Sequence, residues 1–200
     1  MKDTRERLVD AAERLLRKRG LSHLSTREVA RTAGVADGAM YHHFADKNEL
    51  LLAVLGRPAP QYLEAIRNLP LAVGQDSVEA TLRELAWNVY LFHRHALPIT
   101  ASLFADIELL ERHRQMLRAN KVGPAATFES IRIYLAAEQR IGRLSATLDL
   151  EAASSLLVAG PFQIAFVETH WGEKLTQAEA RRRVDAVVHT LLTGMLESAG

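Results

Sequence analysis

Apolar residues recur at intervals of three and four along almost the whole chain, which is the spacing of one face of an α-helix. The first such stretch, residues 8–16, is followed by a basic turn and Gly20, the usual ending of a helix. Ser25 and Thr26 precede a second stretch, and a short one spans about residues 37–43. Asp46, whose side chain can cap a helix, precedes a fourth stretch. No useful length alternates with a period of two, so the pattern predicts helices and no sheet.

The pattern breaks at residues 56–60, Gly-Arg-Pro-Ala-Pro, where we place a domain boundary. The predicted domains are residues 1–56 and 57–200. Amphipathic segments follow the break, with proline or glycine between most of them, at about 60–69, 77–94, 97–118, 124–141, 149–171 and 176–198. The predicted fold is therefore all-α, with about nine helices.

Composition narrows the class of protein but does not name a partner. Of the 200 residues, 48% are hydrophobic and 24% charged, as in an ordinary globular protein, and no cysteine is present to form a disulfide or a thiolate metal site. Net charge is only +1, although residues 1–56 hold ten Lys/Arg against eight Asp/Glu. The first twenty residues lack the apolar core of a signal peptide, and the apolar run 156–167 is too short for a bilayer. We expect a cytoplasmic protein.

The segment from Thr26 to Lys47, TREVARTAGVADGAMYHHFADK, has the pattern of two short helices joined by a tight turn. Small Ala33 lets the helices approach, and Gly34 can adopt the left-handed backbone that such a turn requires. The second helix opens with small residues, 36–39, so its tip can approach base edges in a DNA major groove. Donor side chains that suit phosphate oxygens surround this tip: Tyr41, His42, His43 and Lys47.

This segment resembles the DNA-binding region of the tetracycline-repressor (TetR) family. The shared positions are Thr26, Ala30, Ala33–Gly34–Val35, Gly38, Tyr41, His43–Phe44 and Lys47 followed by Glu49–Leu50. They cover about the first quarter of the chain. The resemblance implies a three-helix helix-turn-helix domain, followed by a helical domain that binds a ligand and dimerises. It also implies a homodimeric, ligand-responsive regulator, by family tendency a repressor, that binds a palindromic operator.

The resemblance assigns roles to individual residues. Thr26 is expected to cap the second helix and hold a phosphate, and Arg27 to reach a guanine edge or a phosphate. Two positions depart from the family, which often has serine at 36 and threonine at 39, where this chain has alanine. We therefore expect Asp37 to cap the recognition helix and Ala39 to touch only an apolar feature such as a thymine methyl. The expected DNA-binding residues are Thr26, Arg27, Ala36, Asp37, Gly38, Ala39, Tyr41, His42, His43 and Lys47.

A dimer interface is expected on the last two helices, because two-fold dimers place two recognition helices about one DNA turn, or a multiple of it, apart. One stripe runs along residues 149–171 and a second follows the same spacing on the final helix. With their symmetry mates these helices would form a four-helix bundle. The alternative is that the stripes are ordinary core within one chain. The interface residues are Leu156, Gly160, Gln163, Val167, Trp171, Val184, Val187, Leu191 and Met195.

A ligand pocket is expected in the same domain, and its location there follows from the resemblance. Aromatic side chains and one histidine could line a mostly apolar cavity for a small apolar or aromatic effector. Such stripes also occur as plain core. The candidate pocket residues are Trp87, Tyr90, Phe104, Phe128, Phe162, Phe166 and His170.

Other functions find less support in the residues. His93, His95, His113 and His170 could be considered as metal ligands together with Asp106 or Glu108. Their spacing follows no compact metal-binding motif, so no metal site and no cofactor is predicted. The sequence holds no phosphate loop, G-x-S-x-G or other set that names a reaction, so no enzyme is predicted. Two alternatives stay open: a helical small-molecule-binding protein without DNA binding and, with less support, an enzyme.

Overall fold

The computed structural model describes residues 3–21, 24–57 and 59–194. These residues form helices and no strand, which confirms the all-α prediction. The α-helices are α1 (Thr4–Arg19), α2 (Thr26–Ala33), α3 (Ala39–His43), α4 (Lys47–Leu55), α5 (Ala59–Asn68), α6 (Val78–Thr100), α7 (Ile107–Ala119), α8 (Pro124–Arg140), α9 (Leu150–Trp171) and α10 (Gln177–Thr193). Short 3₁₀ turns follow α5 and α6, at Leu69–Ala72 and Ala101–Ala105.

The amino-terminal unit consists of the residues up to Ala59 together with Ala96–Met116. Its core is built by the apolar faces of α1, α2 and α4, with Met40 and Phe44 from α3 and its end. Leu103 and Leu109 from the second segment belong to the same core. The unit thus includes residues 96–116, which the sequence analysis had assigned to the second domain.

The carboxy-terminal unit consists of Pro60–His95 and Leu117–Gly200, of which residues 195–200 lie outside the described part. Tyr90 of α6 and Tyr134 of α8 are its largest fully buried side chains. Tyr62 of α5 shares a hydrogen bond of 2.9 Å with buried Thr127 of α8, which joins these two helices through their polar atoms. A capping box at Thr176 and Glu179 begins α10.

Helix α6 differs from the predicted segmentation. The sequence pattern predicts two segments here, one ending at 94 and the next beginning at 97. Instead α6 continues through Pro98 to Thr100, and α7 begins only at Ile107. Because Pro98 lies within the final turn, its missing N–H costs one backbone hydrogen bond near an end and not the whole helix.

Helix α9 matches the predicted segment 149–171 and extends beyond the apolar run of residues 156–167 at both ends. It spans Leu150–Trp171, and among the described residues it is the one helix whose length and mean hydropathy, 1.5 in its most apolar window, would suit a membrane span. Ser154, Leu157, Pro161, Ile164 and Ala165 form a buried face along it. This face packs on α8 and α10, as a core helix does.

Candidate nucleic-acid interface and effector site

The turn between α2 and α3 has the backbone that the sequence predicts. Gly34 ends α2 with φ of 65° and ψ of 40°, in the left-handed region. From α1, an Nη2 of Arg7 donates to the carbonyl oxygens of Ala33 at 2.7 Å and Gly34 at 2.9 Å. These carbonyls are the ones that the end of a helix leaves without backbone partners. Arg7 therefore fixes the turn, a role that the apolar pattern did not reveal.

The tip of the recognition helix is open to solvent. Ala36, Asp37 and Gly38 are exposed and Ala39 is half-buried. Behind them, fully buried Met40 anchors α3 in the core, and Phe44 follows with 2% of its surface exposed. Small residues thus stand outermost on a rigid support, as an approach to base edges requires.

The expected phosphate-binding side chains lie around this tip. Tyr41 is 62% exposed, His42 is exposed, and His43 and Lys47 are half-buried. Lys47 is the first residue of α4, whose N-cap Asp46 accepts a hydrogen bond of 2.7 Å from the backbone N–H of Glu49. The cap predicted at Asp46 is confirmed, and it determines where Lys47 stands.

Two capping assignments were wrong. Ser25, not Thr26, is the N-cap of α2, because its hydroxyl accepts from the Glu28 N–H at 3.2 Å, and Thr26 is the first helical residue. Helix α3 begins at Ala39 with Gly38 as its N-cap and has no side-chain cap. Asp37 stands one residue too early for that role.

Asp37 instead forms an ion pair with Arg27. The Arg27 Nε lies 3.3 Å from Asp37 Oδ2, and the two side chains are 86% and 63% exposed. Arg27 stands in the first turn of α2 and Asp37 just before α3, so the pair bridges the two arms of the helix-turn-helix.

The carboxy-terminal unit holds a continuous row of ring side chains along α5, α6 and α9. Centroid distances between successive rings run from 4.4 Å, for stacked Tyr62 and Phe92, to 6.1 Å, for Phe162 and Phe166. Burial lowers the pKa of His93, in the middle of the row, to about 4, so the row is uncharged there at neutral pH. In order, the row consists of Tyr62, Phe92, His93, Phe162, Phe166, His170 and Trp171.

The structure brings together only some of the predicted pocket residues. Phe162, Phe166 and His170 belong to the ring row, whereas Trp87 and Tyr90 are buried and stack on each other at 5.1 Å. Phe128 is 36% exposed and lines a separate shallow groove between α8 and α9. Phe104 belongs to the amino-terminal unit and is 79% exposed.

Several members of this region were not predicted from the sequence. Tyr62, Phe92 and His93 follow no single stripe, because they come from two helices, and only the fold aligns them with α9. Behind α9, the Tyr90 hydroxyl donates to Glu168 at 2.7 Å, and the Arg94 Nε donates to the same carboxylate at 3.1 Å. Burial, together with this hydrogen bond, raises the pKa of Tyr90. The sequence signal that could have indicated this polar contact is a carboxylate, Glu168, in an otherwise apolar helix.

The expected interface residues fall into three groups. Leu156, Gln163 and Trp171 are exposed, and Leu156 and Trp171 rank among the large exposed apolar side chains. Gly160 packs inside the chain against Val187, and Val184 is fully buried, so Val184 has no surface for a partner. Half-buried side chains are Val167 and Leu191, and Met195 lies outside the described residues.

The fold and the exposed tip define a helix-turn-helix DNA-binding protein with an attached helical domain. Residues 8–54 match the family described as bacterial regulatory proteins, tetR family. The transcriptional repressor BepR of Brucella suis is 28% identical over 169 residues, which cover 78% of this chain and 76% of BepR.

Solved structures share the fold over nearly the whole chain. A TetR-family transcriptional regulator from Mesorhizobium loti superposes with a TM-score of 0.72 at 22% identity, covering 95% of each chain. FadR of Bacillus subtilis, solved in complex with stearoyl-CoA, gives a TM-score of 0.73 at 17% identity over 96% of this chain and 99% of FadR. The chain is thus similar to TetR-family transcriptional regulators, in sequence at its amino-terminal end and in fold over nearly its whole length.

Proposed function

We propose that this protein is a cytoplasmic repressor that binds a palindromic operator as a homodimer and releases it when a small, largely apolar effector binds. The observation that carries the DNA-binding part is the open tip at residues 36–39, set on buried Met40 and Phe44. Tyr41 and Lys47 flank it with donors for phosphate oxygens. BepR, which is similar over most of both chains, is a repressor.

The apolar surface of α9 and α10 supports the homodimer. Leu156, Trp171 and Leu192 are 51%, 71% and 38% exposed, so these two helices present three large apolar side chains to water. Covering these side chains with the same surface of a second copy would remove them from water. We place the interface at Leu156, Gln163, Trp171 and Leu192, with half-buried Val167 and Leu191 beside them.

The ring row supports an effector that is apolar and contains a flat ring. Phe162 and Phe166 are 37% and 39% exposed, so they keep free ring surface for a ligand to pack against. His93 in this row is neutral at pH 7, so its ring offers one hydrogen-bond donor and one acceptor to orient a ligand. FadR, which shares the fold, holds stearoyl-CoA, so a helical domain of this type can accommodate a large apolar ligand.

The DNA-binding part is tested with a duplex taken from beside the protein's own gene, in gel shifts over a range of salt. Affinity should fall steeply as salt rises, because bound phosphates release counterions. Tyr41→Ala and Lys47→Ala should weaken binding to all sequences alike, and Arg27→Ala should also relax base preference. Arg67→Ala, which removes a cation from the exposed surface of α5, is the control. Full-strength operator binding by the variants at Tyr41, Lys47 and Arg27 would refute the assignment of these residues to DNA contacts.

The effector part is tested by a thermal-shift screen of small apolar compounds, followed by DNA release with any hit. Phe162→Ala and Phe166→Ala should weaken binding of the hit by about tenfold while leaving DNA binding intact. A compound that binds without changing operator affinity would contradict induction, since an effector must favour one state. A hit in a chain that binds no DNA would indicate the alternative, a plain small-molecule-binding protein.

A further inference from the structure

We propose that Asp37 is a positioning residue that holds Arg27 for reading a guanine, so that the pair determines base specificity as a unit. This inference rests on the proposed DNA binding and adds a mechanism to it. It starts from the ion pair of 3.3 Å between Arg27 Nε and Asp37 Oδ2, two residues on different arms of the motif.

The atom that Asp37 engages is informative. A guanidinium recognises guanine by donating two parallel hydrogen bonds to O6 and N7. Since Asp37 lies against the Nε side, the terminal Nη1–Nη2 edge of Arg27 is the one left to meet the base. A long, 86% exposed arginine would otherwise lose considerable side-chain entropy on binding, and a fixed Nε reduces this loss.

The charge of Asp37 provides the second argument. DNA phosphates repel a carboxylate at the tip of a recognition helix. Here the carboxylate does not stabilise the helix as a cap in return, because the N-cap of α3 is Gly38, without a side-chain hydrogen bond. Its partner is the arginine beside it. The pair is weak in water at this exposure, but DNA would exclude water from it and strengthen it. Asp37 thus lowers the affinity for DNA of any sequence but orients Arg27.

The test measures the ratio of affinities for operator and unrelated duplex, using the full chain and the DNA beside its own gene. Asp37→Asn should bind unrelated duplex more tightly, because a negative charge is lost, and its ratio should fall by about tenfold or more. Asp37→Glu should recover part of the ratio. Arg27→Ala with Asp37→Ala should be no less specific than Arg27→Ala alone, because the two act together.

Glu28→Gln is the matched control, since it removes one negative charge from the helix-turn-helix at a residue that pairs with Arg19 and Arg31 instead. It should change both affinities by the same factor. An unchanged ratio in Asp37→Asn, with wild type binding its operator normally, would overturn the role of Asp37 and leave the proposed function standing. Absence of salt-dependent binding by wild type to any duplex would refute the proposed function itself.

Discussion

Arg112 Nη1 on α7 lies 2.7 Å from Asp46 Oδ2, the carboxylate whose other oxygen caps α4. Both residues belong to the amino-terminal unit. One aspartate therefore fixes the start of α4, immediately before Lys47, and ties it to α7. The start of α4, where Lys47 lies, and α7 are thus held by the same carboxylate.

The cap and the ion pair at Asp46 can be separated by two substitutions. Asp46→Asn keeps a capping oxygen and loses the charge, whereas Asp46→Ala loses both, so we expect the alanine variant to be less stable by about 1 kcal/mol. The pair itself adds little, because the side chains of Arg112 and Asp46 are 33% and 48% exposed. Urea unfolding at pH 7 measures both, and equal stability of the two variants would contradict the capping role.

The same carboxylate predicts a pH dependence. The hydrogen bond from Arg112, and then the one from the Glu49 N–H, lower the pKa of Asp46 from its ordinary value of 3.8. Its contribution to the free energy of unfolding is therefore present above pH 3.8 and is lost as the pH falls through the lowered value. The Asp46→Asn variant should not show this loss of stability at acidic pH. An NMR titration that placed the Asp46 midpoint at or above 3.8 would contradict it.

Local signals explain why so much of the DNA-binding end could be predicted. Gly34 in its left-handed turn, Asp46 as a cap and small residues before α3 each depend on a few neighbouring positions. The predicted caps at Thr26 and Asp37 were wrong, because a shift of one residue changes which atom reaches a backbone N–H. Propensity does not resolve helix ends that finely.

The carboxy-terminal unit was harder to predict because its contacts join residues far apart in the chain. Tyr62, Phe92 and Phe162 come from three helices and meet only after folding. The stripe containing Val184 has the right period for an interface, but period alone does not distinguish the face toward a partner from the face toward the chain's own core. A single sequence carries no record of which helix covers which face.

The turn at Gly34 predicts a costly substitution and a tolerated one. Gly34→Ala must place a Cβ in a left-handed backbone, which costs about 1–2 kcal/mol, and that Cβ would lie 3.2 Å from the Arg7 Nη2 that holds the turn. Gly38→Ala is the control, because its φ is −75° and a Cβ there meets nothing within 4 Å. Thermal unfolding should show a clear loss for the first variant and almost none for the second; similar losses would contradict the argument.

The contact between α9 and α10 predicts strong coupling between Gly160 and Val187. A Cβ on Gly160 would stand 2.5 Å from Val187 Cγ1, and short, stiff valine cannot move away at low cost. We expect Gly160→Ala to lose about 1–3 kcal/mol from overpacking, partly offset by better helix propensity. In a Val187→Ala background the same change should become neutral or stabilising. Additive effects in this double-mutant cycle, measured by urea unfolding, would show that the helices do not touch there.

His93 links the ring row to the pH dependence of the whole protein. Burial lowers its pKa to about 4, whereas the unfolded chain titrates near the ordinary 6.5. Between these values the unfolded state binds more protons, so the free energy of unfolding should decrease as pH falls from 6.5 toward 4. His93→Gln should remove this part of the pH dependence. Parallel stability–pH curves for wild type and His93→Gln would contradict a neutral His93 among the rings.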